Sequence, residues 1–322
     1  MPTVTVVVPV LNGSRFVESS ITYITQQEYR SLEILFIVDS KTVDDTVEKI
    51  EKFSNDLPNC RVIIQEDPYG LSGSRNIGLD EAQGEYIWFM DIDDRPYPDF
   101  ISTLVKLIEE HDADVTISNF VRSSNIDSKE TCKKGRKTVL SREQAMKALM
   151  SDKIPVTAWS KLIKTDFLRQ NDIRFYPGFA EDINHTYKVL NACSRAVYFS
   201  KPMYLYFQNS LSICASLGNE RGREEIRTYG ELVDLFKNTD MEGKICRRSA
   251  IMMLRSSIHM DYKTYRSYVK SDEFLDIGKL YLRYPLSLEF ICVRLSPFLY
   301  YYGLQFYLKF FYYRELRYYT KI

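Results

Sequence analysis

Three carboxylates fall within four positions, Asp91, Asp93 and Asp94, directly after the apolar run Tyr86-Ile87-Trp88-Phe89-Met90. Acids this close repel one another, and the repulsion must be offset by a cation, by hydrogen bonds or by solvent. Carboxylate oxygens suit a hard divalent ion such as Mg2+ or Mn2+, which keeps waters and takes its remaining ligands from substrate phosphates. The same residues also fit a solvated acidic turn ahead of a helix that starts at Pro98. A second acidic pair, Glu181-Asp182, follows Pro177-Gly178-Phe179-Ala180 at what reads as a helix start. Adjacent residues do not share a helix face, so these two acids point differently and have separate roles.

Such groups need elements to aim them. Ile87 to Met90 reads as a strand buried on both faces, so the three acids emerge at its carboxyl end, where open parallel sheets place ligands. Strand-like and helix-like segments alternate from Thr3 to Asn119, which predicts an α/β fold whose mostly parallel sheet is flanked by helices. Three strands end in polar groups: Val10 gives way to Leu11-Asn12-Gly13, Val38 to Asp39, and Met90 to Asp91. These ends are expected to gather along one edge of the sheet and form a crevice.

The chain of 322 residues has room for one large domain, or one domain with an extension. Its 43 Lys and Arg cancel 43 Asp and Glu, so no global field points to nucleic acid or to an acidic partner. Cys60, Cys132, Cys193, Cys214, Cys246 and Cys292 are scattered without metal-ligand spacing and read as free thiols of a reducing cytosol. Thr3 to Val10 already reads as a first strand, so no secretion signal is expected there. The longest apolar stretch, Phe290 to Phe311, is interrupted by Arg294 and Lys309, which argues against a spanning helix.

Ser141 and Gln144 have the spacing of a capping box, between a polar, basic loop around Asn125 to Arg136 and a region of short strands and helices from Asp152 to Asn209. Helices are expected at Glu220 to Phe236 and Ile245 to Tyr262. The domain reading is 1–217 for the sheet domain and 218–322 for a C-terminal helical extension. From Ile245 onward, 13 Lys or Arg stand against 6 Asp or Glu, interleaved near the end with Tyr300, Tyr301, Tyr302, Tyr312, Tyr313, Tyr318 and Tyr319. Aromatic and basic side chains together suit peripheral contact with a cytoplasmic membrane, and equally a core cap or a subunit interface in a homo-oligomer. No nucleic-acid recognition module is present.

Four local patterns, in order, resemble those of glycosyltransferase family 2, the inverting nucleotide-sugar transferases of GT-A fold. They are Val6-Val7-Val8-Pro9-Val10-Leu11-Asn12; Glu33 to Asp39 with Asp44-Asp45-Thr46; Gly70 to Gly78; and Asp91-Ile92-Asp93-Asp94, the Asp-x-Asp signature. Trp159 to Ile163, Glu181-Asp182-Ile183, Tyr204-Leu205-Tyr206 and Ser210 to Ile213 resemble motifs of bacterial members further on. The likeness covers about Val4 to Ser212. The chain departs from many relatives at Asp39-Ser40-Lys41-Thr42, which lacks the acid and glycine of their Asp-Asp-Gly-Ser.

The resemblance implies a hexosyltransferase that uses a UDP-sugar and a lipid-linked or polysaccharide acceptor in capsule, exopolysaccharide or lipopolysaccharide synthesis. Asp93, with Asp91, is then the ligand of a Mn2+ or Mg2+ ion on the donor diphosphate. Pro9, Leu11, Asn12, Asp39, Arg75, Asn76, Asp91 and Asp94 face the nucleotide-sugar, and Asp182 is the general base with Glu181 beside it. His185 and Trp159 are candidates for supporting roles, against a plain place in the core. Two other readings remain. A sugar-nucleotide-forming enzyme needs an amino-terminal Gly-rich, Arg-containing loop that is missing here, and a non-catalytic glycan- or nucleotide-binding subunit would keep the sheet without turnover.

Overall fold

A computed structural model describes residues 1–55, 57, 59–127, 135–208, 219–271 and 296–307. The centre of the basic loop, Ser210 to Ile213, the tyrosines from Tyr312 onward, and Cys132, Cys214 and Cys292 lie outside the described residues. The chain divides into two compact units. One comprises Met1–Pro177 with His185–Gln208; described residues of the other are 178–184, 219–271 and 296–307.

The first unit carries every described strand. In chain order its elements are β1 (Val4–Val10), α1 (Val17–Thr25), β2 (Leu32–Val38), α2 (Thr46–Ser54), β3 (Cys60–Ile64), α3 (Gly70–Glu81), β4 (Tyr86–Phe89), β5 (Arg95–Pro96), α4 (Phe100–Glu110), β6 (Val115–Ser123), β7 (Lys137–Ser141), α5 (Arg142–Met150), β8 (Lys161–Lys164) and α6 (Thr165–Gln170). Helix α7 (Glu181–Ala192) and β9 (Arg195–Phe207) follow, with the first four residues of α7 counted to the second unit. The strand order is β3-β2-β1-β4-β8-β6-β9-β5, with β7 also on β9. Strands β3, β2, β1 and β4 are mutually parallel, as the alternating pattern predicts, and β6 and β9 are parallel to each other. Strands β8, β5 and β7 run antiparallel to their neighbours, so the second half of the sheet is mixed.

All seven residues of β1 and all four of β4 are buried, the burial expected of central strands covered on both faces. Val4, Val6, Val8 and Val10 share one core cluster with Phe36, Trp88, Phe100 and Leu104. Each such side chain contributes roughly 1.5–3 kcal/mol on burial. Gly78 brings α3 onto β1, because a Cβ there would collide with the Val7 side chain. The capping box at Ser141 forms as expected, with Ser141 N–H donating to Gln144 Oε1 at 3.0 Å and Gln144 N–H to Ser141 Oγ at 3.4 Å.

The described elements of the second unit are helices: α8 (Asn219–Leu235), α9 (Glu242–Ser256), α10 (Tyr262–Tyr268) and α11 (Pro297–Tyr307). The helix expected from Ile245 to Tyr262 ends instead at Ser256. A short 3-10 turn, Ser257–His259, follows, and Asp261 caps a new helix by accepting from Thr264 N–H at 2.8 Å. No helix among the described residues is long and apolar enough to cross a membrane.

Candidate active site

Register decides what meets at the carboxyl edge of the sheet. Val10 pairs with Val38 and Val7 with Phe89, while Asp39 N–H donates to Val10 O and Met90 N–H to Val7 O, both at 2.9 Å. Leu11-Asn12, Asp39 and Asp91 therefore leave the sheet along the same edge. Pro9 stays inside β1, buried opposite Ile37, and Leu11 is half exposed. Asn12 adopts a left-handed conformation, φ +50°, and its Oδ1 accepts from Val43 N–H at 2.9 Å, which ties the β1 end to the segment after Asp39. Gly13 N–H donates to Thr46 Oγ1 at 3.0 Å and Ser14 N–H to Asp44 Oδ2 at 3.2 Å, so the Asp44-Asp45-Thr46 motif braces this turn.

The departure at Asp39-Ser40-Lys41-Thr42 is accommodated without a glycine. Asp39 is buried, its Oδ1 accepts from Lys41 N–H and its carbonyl from Thr42 N–H, each at 2.9 Å, and none of these four residues has a positive φ. The side chain thus replaces the turn-forming role that a glycine plays elsewhere.

The three acids after β4 differ in surroundings. Asp91 and Asp93 are half-exposed, whereas Asp94 is buried. Asp91 Oδ1 accepts from the Arg75 guanidinium at 3.0 Å. Arg75 is itself 1% exposed and lies 5.2 Å from the Phe175 ring centre, so it acts as an internal brace beneath the turn. Asp94 Oδ1 accepts from Phe207 N–H, 2.8 Å, at the end of β9. Burial, then the charges of Asp91 and Asp93, push the Asp94 carboxyl well above the usual carboxylate range, against the pull of the Phe207 amide and the Tyr204 hydroxyl. Among the described residues no group of three or more His, Cys, Asp or Glu side chains forms a metal cage. Two half-exposed carboxylates fit an ion that is completed by substrate phosphates and water instead.

Asn76 is engaged with the protein. Its Nδ2 donates to Phe175 O and its Oδ1 accepts from Phe175 N–H, both at 2.9 Å, so the amide clasps that segment as a backbone partner would. His185 and Trp159 belong to the core. The His185 ring stacks 3.8 Å from Phe175, and burial followed by the cations Lys161, Arg75 and Lys188 pushes it well below the usual histidine range, which leaves it neutral. Trp159 is stacked on Tyr204 at 4.4 Å and Tyr206 at 5.7 Å, and its carbonyl accepts from Trp88 Nε1 at 2.8 Å.

Glu181 and Asp182 head α7 within the helical unit. The approach is shaped by left-handed backbone, Gly178 at φ +132° and Ala180 at φ +60°, and a Cβ on Gly178 would run into the Arg227 guanidinium of α8. Helix α8 holds the segment at two points: Thr228 Oγ1 donates to Phe179 O at 2.8 Å, and Asn184 Nδ2 donates to Glu231 Oε2 at 3.2 Å. Sequence reasoning missed these partners, as it missed Phe175 and Phe207. Only the Tyr204-Leu205-Tyr206 motif, next to Phe207, gave a signal.

The profile of the family described as Glycosyl transferase family 2 matches residues 5–167. Glycosyltransferase GlyG of Streptococcus pneumoniae is 25% identical over 288 residues, 85% of this chain and 93% of that protein. Two further glycosyltransferases are matched over only 30% and 62% of their own length. Among solved structures, S. aureus TarS 1-349 in complex with UDP-GlcNAc superposes with TM-score 0.65 at 21% identity, over 86% of this chain and 79% of that one. The mannosyltransferase PcManGT of Pyrobaculum calidifontis, in complex with GDP-Man and Mn2+, gives TM-score 0.61 at 15% identity, over 99% and 84%. At these identities the structural likeness speaks for the GT-A fold, and the extent of the profile match, over half the chain, makes this protein a member of glycosyltransferase family 2.

Proposed function

We propose that this glycosyltransferase is an inverting, metal-dependent hexosyltransferase that moves a sugar from a UDP-sugar to a hydroxyl of a lipid-linked or polysaccharide acceptor. Its setting is cell-envelope glycan synthesis, in the cytoplasm at the inner face of the cell membrane. The observation that carries the reading is the turn at the end of β4, where Asp91 is braced by buried Arg75 and Asp94 by Phe207 N–H, on the same sheet edge as Asp39 and Asn12. Asp39, with the Leu11-Asn12 backbone, receives the nucleoside. Asp93, helped by Asp91, holds a Mn2+ or Mg2+ ion, whose chemistry when bound is to neutralise charge on the departing diphosphate. Asp182 takes the proton of the acceptor hydroxyl as its oxygen bonds to the anomeric carbon and the carbon–oxygen bond to the diphosphate breaks on the opposite face. Glu181 orients the acceptor or its own loop.

The test is release of nucleoside diphosphate from UDP-glucose, UDP-galactose, their N-acetylated forms and GDP-mannose, with Mn2+ and with chelator. Metal-dependent release of UDP supports the reading. A chain that binds UDP by calorimetry yet turns over none of these donors, with or without a glycan acceptor, is a binding subunit.

A further inference from the structure

Helix α11 is apolar on the side that faces outward. Phe298, Leu299, Tyr302 and Phe306 are 53%, 69%, 46% and 58% exposed, and their spacing places them on one side of the helix. The opposite side is anchored within the same unit: Tyr301 is buried, its hydroxyl donates to Met260 O at 2.8 Å, and its ring lies 4.9 Å from that of Tyr265. Beside this stripe runs α10. Tyr262 touches the outward residues directly, with ring centres 5.7 Å from Phe298 and 5.6 Å from Tyr302. One turn along from Tyr262 stands Arg266, flanked by Lys263 and, just past the helix end, Lys270; all three are exposed, and none makes an ion pair among the described residues. On α10 and its cap the one acid among the described residues is Asp261, whose carboxylate is occupied in capping the helix through Thr264 N–H and in accepting from Asn219 Nδ2; Asp272 and Glu273 follow Lys270 in the sequence. The sequence continues after α11 with Lys309, Arg314, Arg317 and Lys321 against the single acid Glu315.

We propose that the outward face of the α10–α11 pair docks on an anionic lipid bilayer. Phe298, Leu299, Tyr302 and Phe306 enter the boundary between headgroups and acyl chains, and Lys263, Arg266 and Lys270 meet lipid phosphates. A protein partner fits less well, since interface cores are depleted of Lys, whereas a headgroup layer accepts rings and cations side by side. The proposal deepens the functional reading by supplying the surface on which a lipid-linked acceptor is met, and rests on that reading only for this purpose.

The experiment is co-sedimentation of the full chain with phosphatidylcholine vesicles and with vesicles containing phosphatidylglycerol. Partitioning at least tenfold stronger on the anionic vesicles, and weakened by salt, is expected. Phe298→Ser/Phe306→Ser should lower it by tenfold or more, and Lys263→Gln/Arg266→Gln/Lys270→Gln by about 10²-fold, roughly five-fold per cation. UDP release in solution stays unchanged in both. The three charge changes lie on the exposed surface, so that variant remains informative even if the serine variant fails to fold. Equal binding to both vesicle types, binding by the variants at the parent level, or a dimer in light scattering that the serine variant dissolves would each overturn the proposal. Vesicle binding without UDP release would reject the transferase reading alone.

Discussion

In the sheet unit two of the three acids after β4 are fixed from below, Asp91 by a guanidinium that is 1% exposed and Asp94 by the last amide of β9, whereas in the helical unit Glu181 and Asp182 head a helix whose approach is tied to α8 by hydrogen bonds at Phe179 and Asn184. The first arrangement spends buried charge on rigidity. The second uses left-handed backbone at Gly178 and Ala180 and two hydrogen bonds, which leaves the acids on a support that separate side chains can tune. In the roles proposed above, a charge that grips a cation would gain from the rigid mount, and a base that admits different acceptors would gain from the adjustable one.

The largest effects are expected at the acids themselves. Asp182→Asn should lower transfer by about 10²- to 10⁴-fold, the usual contribution of a positioned general base, with donor affinity by calorimetry unchanged. Asp93→Asn should instead abolish the response of UDP release to added Mn2+. If the two variants show the same profile, with donor binding lost in both, the division of labour between the units is wrong.

Next in size is the brace. Arg75→Met removes one partner of Asp91, and breaking a buried ion pair typically costs about 3–5 kcal/mol; the lower end applies because the Asp91 side chain is 26% exposed. Urea unfolding should show a loss of about 3 kcal/mol, accompanied by weaker UDP binding. Arg75→Lys is expected to recover little, since an ammonium offers neither the planar fork nor the flat face set against Phe175. Parent stability and UDP affinity in Arg75→Met would show that the turn holds Asp91 without help.

How much of this was readable from residues alone divides along the same line. The strand ends at Val10, Val38 and Met90 are contiguous in sequence with the polar groups they carry, so alternation and abrupt acidity expose both the fold and the sheet edge where those groups gather. Arg75 and Asn76 were visible as residues yet their duties were not, because Asn76 meets Phe175 across 99 positions of chain with no repeating pattern to announce it. Thr228 and Phe179 are likewise 49 apart, and a threonine inside an amphipathic helix looks the same whether or not it reaches a distant carbonyl. The polar face of Asp261 explains the missed helix break, since a cap outweighs continued apolar periodicity there. Residue type alone leaves Trp159 open between a supporting role at the site and the core, and its stacking on Tyr204 places it in the core.

A smaller effect sharpens the account of the helical mount. Thr228→Val keeps shape and removes the donor to Phe179 O, with an expected cost of about 1 kcal/mol in unfolding and a fall of roughly 10- to 10²-fold in kcat from a displaced base. Donor affinity should not move, and Thr228→Ser should restore kcat. A change in donor affinity without one in kcat would place Thr228 outside the support of Asp182.

The smallest expected effect is on acid stability, and it isolates the helical unit by pH. Glu225 of α8 is partly buried, which raises its carboxyl, but the hydrogen bond and charge of His259 at 2.9 Å, with Arg221 at 2.9 Å, outweigh that and hold it below the ordinary glutamate value of 4.5. A carboxylate whose folded value is depressed contributes stability that is fully present above its unfolded value and is lost as pH falls through the folded one. The contribution should therefore be intact at pH 6 and decline below about pH 4.5. Thermal unfolding of Glu225→Gln is expected to start from lower stability at pH 6 and to lose less than the parent on acidification, so the two curves converge in acid. Parallel curves across that range would mean that His259 and Arg221 contribute packing to α8 rather than charge, and the mount beneath Asp182 would then be insensitive to protonation.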